Sequence, residues 1–212
     1  MAAEITDWNS VYRYLPYSEN VPHREVVLLE DLFRANSLRR ILDLGCGDGR
    51  HLVFLAQQGY AIYGLDIALW GVRRAREWLT RERLHAGVVC GDMVALPWPN
   101  RSLDAVFSIQ VIYHAKLASI RRTLDEVHRI LCDHGLFFAT VLKYPPVGRE
   151  MKEFEEIEPR TYLRMEGFEK GLAHHFFTQG ELEDVLHGFD LLRLQESSDG
   201  KYFNVLAQKL SR

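Results

Sequence analysis

At 212 residues the chain is of single-domain size, and its 47% hydrophobic and 26% charged content is that of an ordinary globular protein. A net charge of −3 supplies no general attraction for nucleic acid, and no apolar run approaches the roughly 18 residues that a membrane span needs. Cys46, Cys90 and Cys132, an odd number without metal-ligand spacing, read as buried or semi-buried thiols. The first residues lack the basic and apolar regions of a secretory leader, so a cytoplasmic location is expected.

Residues 8 to 20 carry a dense aromatic cluster (Trp8, Tyr12, Tyr14, Leu15, Pro16, Tyr17). It either packs this extension onto the domain or covers a bound ligand. Pro22 to Ala35 reads as a helix, with Val26, Leu29, Leu32 and Phe33 as its apolar stripe. Ile41, Leu42 and Leu44 form the short apolar run of a buried parallel strand. It runs into Gly45-Cys46-Gly47-Asp48-Gly49 and then a helix-forming segment, Leu52 to Ala56. Glycines there let a ligand lie against the main chain, where a helix N-terminus exposes backbone N–H groups. The spacing is not the dinucleotide fingerprint, because Arg50 stands three residues after Gly47. Asp43, two residues before the loop, suits a ligand bearing ammonium and sulfonium charge better than a pyrophosphate.

A second strand, Ala61 to Leu65, ends at Asp66, 21 residues after Gly45. From there an acid reaches the ribose hydroxyls of a ligand held on the first turn, although Asp66 could also cap the helix that follows. That helix, Ala68 to Arg83, buries Leu69, Val72, Ala75, Trp78 and Leu79 and turns its arginines to solvent. Gly87 to Cys90 is a third strand, closing on Gly91-Asp92-Met93. Leu103 to Ser108 is a fourth, delivering Gln110, Tyr113 and His114 to the carboxyl edge where open α/β sheets bind ligands. Helix Leu117 to Leu131 and strand Leu136 to Val141 follow. Lys143 to His175 is long for a connection in a compact domain and suggests a lid over the acceptor, with one of His174 and His175 pointing in. Thr178-x-x-Glu181 is a capping box opening a helix that Gly188 ends. Phe189 to Leu194 and Tyr202 to Gln208 read as a closing hairpin.

Asp43-Leu44-Gly45-Cys46-Gly47-Asp48-Gly49 resembles motif I of the class I S-adenosylmethionine-dependent methyltransferases. Leu65-Asp66-Ile67 is similar to the second motif of that family, and Gly91-Asp92-Met93 to its third. Ser108 to His114 looks like the segment after the fourth strand in small-molecule members. The Asn/Asp-Pro-Pro-Tyr motif of base and glutamine methylation is missing there. The resemblance implies a doubly wound, Rossmann-like α/β fold with helices on both faces. Its sheet would have seven strands, mostly parallel, with an antiparallel last strand inserted beside the fifth. It also implies S-adenosylmethionine as methyl donor, S-adenosylhomocysteine as product, and transfer to a small molecule by in-line displacement. Asp43, Gly45, Cys46, Gly47, Gly49, Asp66, Ile67, Asp92, Met93 and Gln110 are the implied cofactor residues. In the family the third-motif acid bonds the adenine amino group.

A base is needed only if the acceptor arrives protonated, and His114, Tyr113, His174 and His175 are the candidates. No metal is expected, since no His or Cys cluster is visible along the chain. The chain reads as one domain: an extension and helix (1–36), a cofactor-binding core (37–142), an acceptor lid (143–177) and a closing helix and hairpin (178–212). Neither a nucleic-acid nor a membrane partner is expected, and the oligomeric state is left open. A regulatory S-adenosylmethionine-binding protein without transfer, or an RNA or protein methyltransferase, are the alternative readings.

Overall fold

The computed structural model describes residues 7–14, 21–147 and 151–211. Leu15, Pro16 and Tyr17 of the aromatic cluster therefore lie outside the described residues, as does Gly148.

Helix α1 (Trp8–Tyr14) is a short amphipathic turn whose Val11 is buried. It is fixed to the domain by the Asn9 carboxamide, which accepts the Trp70 amide at 3.0 Å. Helix α2 (Arg24–Ala35) starts two residues later than Pro22 suggests. The imidazole of His23, not a residue of the usual capping type, accepts the Glu25 amide. Strand β1 (Arg40–Leu44) leads through the glycines into α3 (Arg50–Gln57), β2 (Ala61–Asp66), α4 (Leu69–Arg81) and β3 (Gly87–Cys90). Strand β4 (Leu103–Ile109), helix α5 (Leu117–Ile130) and strand β5 (Leu131–Leu142) follow. On α4 the residues Val72, Ala75, Trp78 and Leu79 are buried as the spacing predicts, whereas Leu69 is 41% exposed. Leu69 opens the helix, ahead of the turn that packs on the sheet.

The main sheet has seven strands in the order β3-β2-β1-β4-β5-β10-β9, where β9 is Phe189–Glu196 and β10 is Tyr202–Lys209. Strands β1 to β5 are parallel, and β10 runs antiparallel between β5 and β9. The short connection between β9 and β10 allows this reversal, because antiparallel neighbours can be joined by a tight hairpin whereas parallel ones need a crossover. Two apolar layers flank the sheet. One joins α5 and α6 (Gln179–Val185) to it through Ile120, Leu124, Val127 and Leu182. The other packs α2, α3 and α4 through Phe33, Leu52, Leu55 and Trp78. This double coverage is why residues 105–107 of β4 and 136–139 of β5 read as continuous apolar runs.

The long connection is built rather than loose. Strands β6 (Phe154–Glu158), β7 (Thr161–Arg164) and β8 (Ala173–His175) form a separate antiparallel sheet. Phe176 and Phe177, each 1% exposed, continue β8 into the main core. Burying two such rings stabilises by roughly 3–6 kcal/mol. Main-chain bonds from Phe177 to Leu142 and from His175 to Tyr113, both 2.8 Å, seat this sheet on the rim of the larger one.

The capping box closes by half. Thr178 Oγ1 accepts the Glu181 amide at 3.2 Å, while the Glu181 carboxylate turns to Arg160 and His175. The helix ends at Val185, ahead of Gly188. Of the three thiols, Cys46 is buried and Cys132 partly so, but Cys90 is exposed where β3 leaves the sheet. Among the described residues no helix is long and apolar enough to cross a membrane.

Candidate cofactor and acceptor site

Strands β1, β2 and β4 deliver their carboxyl ends to one cavity of about 670 Å³. The polypeptide turns sharply at each of these ends, and the turns are chemically different. After β1, Gly45, Gly47 and Gly49 all take positive φ (85°, 53° and 93°). A methyl group on Gly45 would run into the Val111 side chain, and one on Gly47 into the Tyr12 hydroxyl. The loop is thus closed on one side by the segment after β4 and on the other by α1.

Four of the five amides of this loop, those of Gly45, Cys46, Gly47 and Gly49, are already used. Leu65 O accepts those of Gly45 and Cys46 at 2.7 and 3.1 Å, Asp66 Oδ2 that of Gly47 at 2.8 Å, and Cys46 O that of Gly49 at 3.0 Å. The sequence suggests a loop offering N–H donors, but the fold leaves it presenting carboxylates instead. Asp43, Asp48 and Asp66 are 1%, 2% and 7% exposed around it. Burial first, and then the charges of Asp66 and Asp48, push the Tyr12 phenol well above its usual range. Burial and the charges of Asp43 and Asp66 do the same to the Cys46 thiol. A site of this potential disfavours a phosphate and favours a cationic ligand.

Asp43 does not line the cavity and lies directly behind it. Neither of its oxygens accepts a hydrogen bond, though both are buried. His51 Nδ1 stands 3.3 Å from Oδ2. The His51 ring is oriented by the His23 amide, which donates to Nε2 at 3.3 Å. A buried carboxylate with so few donors costs several kcal/mol unless a cation offsets it. Asp66 is held differently, accepting the Gly47 and Ala68 amides at 2.8 Å each. It is therefore both the cap of α4 and a wall of the cavity. Burial outweighs these two bonds and raises its pKa to about 6.

Of the other cofactor candidates, Gly45, Cys46, Ile67, Asp92, Met93 and Gln110 line the cavity. Asp92 accepts the Val94 amide at 3.1 Å, fixing the turn after β3. Gln110 has φ +59°, a left-handed conformation costly for a side chain of its size, and its amide donates to Thr140 Oγ1 at 2.7 Å. Gly47 and Gly49 stand back from the cavity surface. Gly47 lies under Tyr12, and Gly49 is the N-cap of α3, where a methyl group would meet Ala75.

Tyr113, His114 and His174 come together on the opposite wall. His114 and His174 are stacked edge to face with centroids 4.6 Å apart, and Trp8 packs on His114 at the same distance. His174 Nδ1 is 3.1 Å from the Leu172 carbonyl, and Nε2 is 3.1 Å from Glu169 Oε2. Burial pushes the Glu169 carboxyl up, but the His174 bond and the charges of His114 and His174 outweigh it and hold it at about 2. His175 faces away from the cavity. It bonds Thr161 Oγ1 at 2.7 Å and Glu181 Oε2 at 3.1 Å, and is fully buried. The alternation of a β-strand separates the two neighbours: one faces the cavity and the other holds the small sheet to α6.

Trp8, Tyr12, Glu169, Arg164 and Tyr202 also line the cavity. The aromatic density of residues 8 to 17 pointed to the first two. Nothing in the pattern around Arg164 or Glu169 marked them, since both lie in a charged segment whose contacts are made through the small sheet.

Residues 42–139 match the family described as methyltransferase domain. The chain is 30% identical over 138 residues to 24-methylenesterol C-methyltransferase 2 of Oryza sativa subsp. japonica, a match covering 61% of this chain and 38% of that enzyme. The chain thus spans well under half of that curated relative. Among solved structures, a Pyrococcus horikoshii protein superposes with TM-score 0.75 at 20% identity, covering 96% of this chain and all of the other. The Burkholderia thailandensis 1,6-didemethyltoxoflavin-N1-methyltransferase, solved with S-adenosylhomocysteine bound, superposes with TM-score 0.66 at 18% identity, over 89% and 78% of the two chains. With sheet order and cavity in agreement, residues 42–139 form a domain that matches the methyltransferase-domain family.

Proposed function

We propose that the protein transfers a methyl group from S-adenosylmethionine to a small-molecule acceptor bound between the glycine loop and the His114–His174 wall. The observation that carries this reading is the buried, poorly satisfied Asp43 carboxylate behind a loop that has four of its five amides already bonded. That arrangement suits a ligand carrying ammonium and sulfonium charge. Asp43 would favour the ammonium by its charge from behind the loop, Asp66 would hold the ribose hydroxyls and Asp92 the adenine amino group, with Met93 and Ile67 against the ring.

When bound, the donor supplies a methyl group already activated on sulfur, which the acceptor atom takes as the carbon–sulfur bond breaks. The tasks left to the chain are orientation and exclusion of water. Trp8 and Tyr12 close the cavity on the α1 side, and Tyr113 and His174 bound it on the other. The 24-methylenesterol and didemethyltoxoflavin named for the relatives are both small molecules, in keeping with a cavity walled by aromatic rings. The small sheet of β6, β7 and β8 supplies the acceptor wall, and its hydrogen-bonded seat on Tyr113 and Leu142 supports a formed wall more than a loose lid.

Incubation with methyl-labelled S-adenosylmethionine and a fractionated cell extract tests the proposal. Label is expected in the small-molecule fraction. Label confined to RNA or protein, or left entirely on the donor while S-adenosylhomocysteine still binds, would overturn the acceptor class or the transfer itself.

A further inference from the structure

We propose that His114, Glu169 and His174 form a binding site for a divalent transition-metal ion in the acceptor half of the cavity. One nitrogen from each imidazole and one carboxylate oxygen lie within 4.8 Å of one another. The three residues come from separate places in the chain: the turn after β4, the loop between β7 and β8, and β8 itself. No spacing in the sequence links them. The seat of β8 on the Tyr113 carbonyl brings them together.

The hydrogen bonds of His174 carry the argument. Its Nδ1 faces a carbonyl oxygen, that of Leu172, and its Nε2 faces a carboxylate oxygen, that of Glu169, each at 3.1 Å. Both neighbours are acceptors. A neutral ring can supply only one proton, and the other nitrogen then presents a lone pair to an oxygen lone pair. At 1% exposure no solvent relieves that repulsion. The Arg164 guanidinium on the same carboxylate relieves part of that repulsion, and the rest is met either by a second proton on the ring or by a cation shared by Nε2 and Glu169.

The surroundings match a metal ligand set. A ring held through Nδ1–H by a backbone carbonyl, with Nε2 directed at the ion, is how metal-bound histidines are oriented, and ligating carboxylates are themselves hydrogen-bonded. Here Arg164 Nη1 donates to Glu169 Oε2 at 3.1 Å, the same oxygen that His174 approaches. The guanidinium lowers the attraction for a cation, and it also fixes the carboxylate, whose Oε2 keeps a further lone-pair site for coordination beside Nε2. The 3.1 Å separation of Nε2 and Oε2 is close to the roughly 3.3 Å edge of a tetrahedron with bonds of about 2.0–2.1 Å. Two imidazoles and one carboxylate suit zinc, iron(II) or cobalt(II) and leave coordination positions for another ligand. All three residues line the cavity that holds Asp66 and Gln110. An ion there would bind an anionic oxygen or a thiolate of a molecule occupying the acceptor half.

The metal alone tests this, independently of methyl transfer. Chelator-treated full-length protein is titrated with zinc chloride by calorimetry, and with cobalt(II) chloride by visible absorption. One equivalent is expected to bind with a dissociation constant of about 10 µM or tighter, and bound cobalt should show the intense visible bands of a four- or five-coordinate site. His174→Ala and the isosteric Glu169→Gln should each weaken binding at least tenfold, while the exposed control His187→Ala leaves it unchanged. S-adenosylhomocysteine affinity, measured on the same samples, reports whether the variants are folded and whether the donor site stands on its own. Failure of the wild-type protein to bind either ion, or binding unaltered in both variants, would overturn the site and leave His174 and Glu169 as a proton-bridged pair.

Discussion

The Asp66 carboxylate accepts the Gly47 amide at 2.8 Å, so the end of β2 and the glycine loop after β1 move as one unit. The second oxygen of Asp66 is held by Ala68, at the start of α4. One side chain thus sets the loop, caps a helix and lines the cavity. Replacing Asp66 by Ala removes charge-assisted bonds worth about 1.5–3 kcal/mol each. S-adenosylhomocysteine should bind about 10- to 100-fold more weakly, as read by calorimetry on protein whose circular dichroism is unchanged. A variant that is folded and binds normally would take Asp66 out of the donor site.

The raised pKa of Asp66, about 6 against an ordinary 3.8, has two opposite consequences. The native state holds the proton more tightly than the unfolded chain does. Asp66 therefore contributes stability that is complete below pH 4 and is lost as pH rises toward 6. Binding runs the other way, because hydroxyl donors favour the ionised carboxylate. Affinity for S-adenosylhomocysteine should fall as pH drops through about 6, and Asp66→Asn should flatten that dependence. A wild-type profile that is flat between pH 5 and 7 would contradict the assignment.

Tyr12 occupies the space that a side chain on Gly47 would need. Its ring covers the loop from α1, which rests on α4 through Asn9 and Trp70. Tyr12→Ala removes an apolar face worth about 1.5 kcal/mol, and should raise the S-adenosylhomocysteine dissociation constant about tenfold, mostly through faster release. Stopped-flow displacement measures this directly. Equal release rates would make α1 a packing element without a part in retention.

His175 and Glu181 belong to the scaffold. Glu181 pairs with Arg160 at 2.6 Å and with buried His175 at 3.1 Å, joining β7, β8 and α6. Breaking such a pair from one side costs about 3 kcal/mol, since the partners are left behind in a poorly solvated place. Glu181→Gln should lower the urea midpoint accordingly, with S-adenosylhomocysteine affinity kept within about threefold. An unchanged midpoint would mean that this anchor contributes nothing to holding the small sheet.

The local chemistry of the chain determined the donor half of this protein. Strand periodicity, three glycines and the acids Asp43, Asp66 and Asp92 are short-range patterns. The alternation of strand and helix made a mostly parallel sheet and its ligand-binding edge legible, while the seven strands and the place of the antiparallel last one followed from the family resemblance. The half of the cavity opposite it was decided in three dimensions. His174 and His175 are adjacent and chemically identical, and only the pairing of β8 with β7 turned one to the cavity and the other to Glu181. Arg164 and Glu169 gained their places the same way, through a small antiparallel sheet whose strands are three to five residues long. Strands so short carry too little alternation to read as strands. The carboxylates of the glycine loop, likewise, define a cation-favouring site only because the fold consumes the amides that the same sequence in isolation would offer to a ligand.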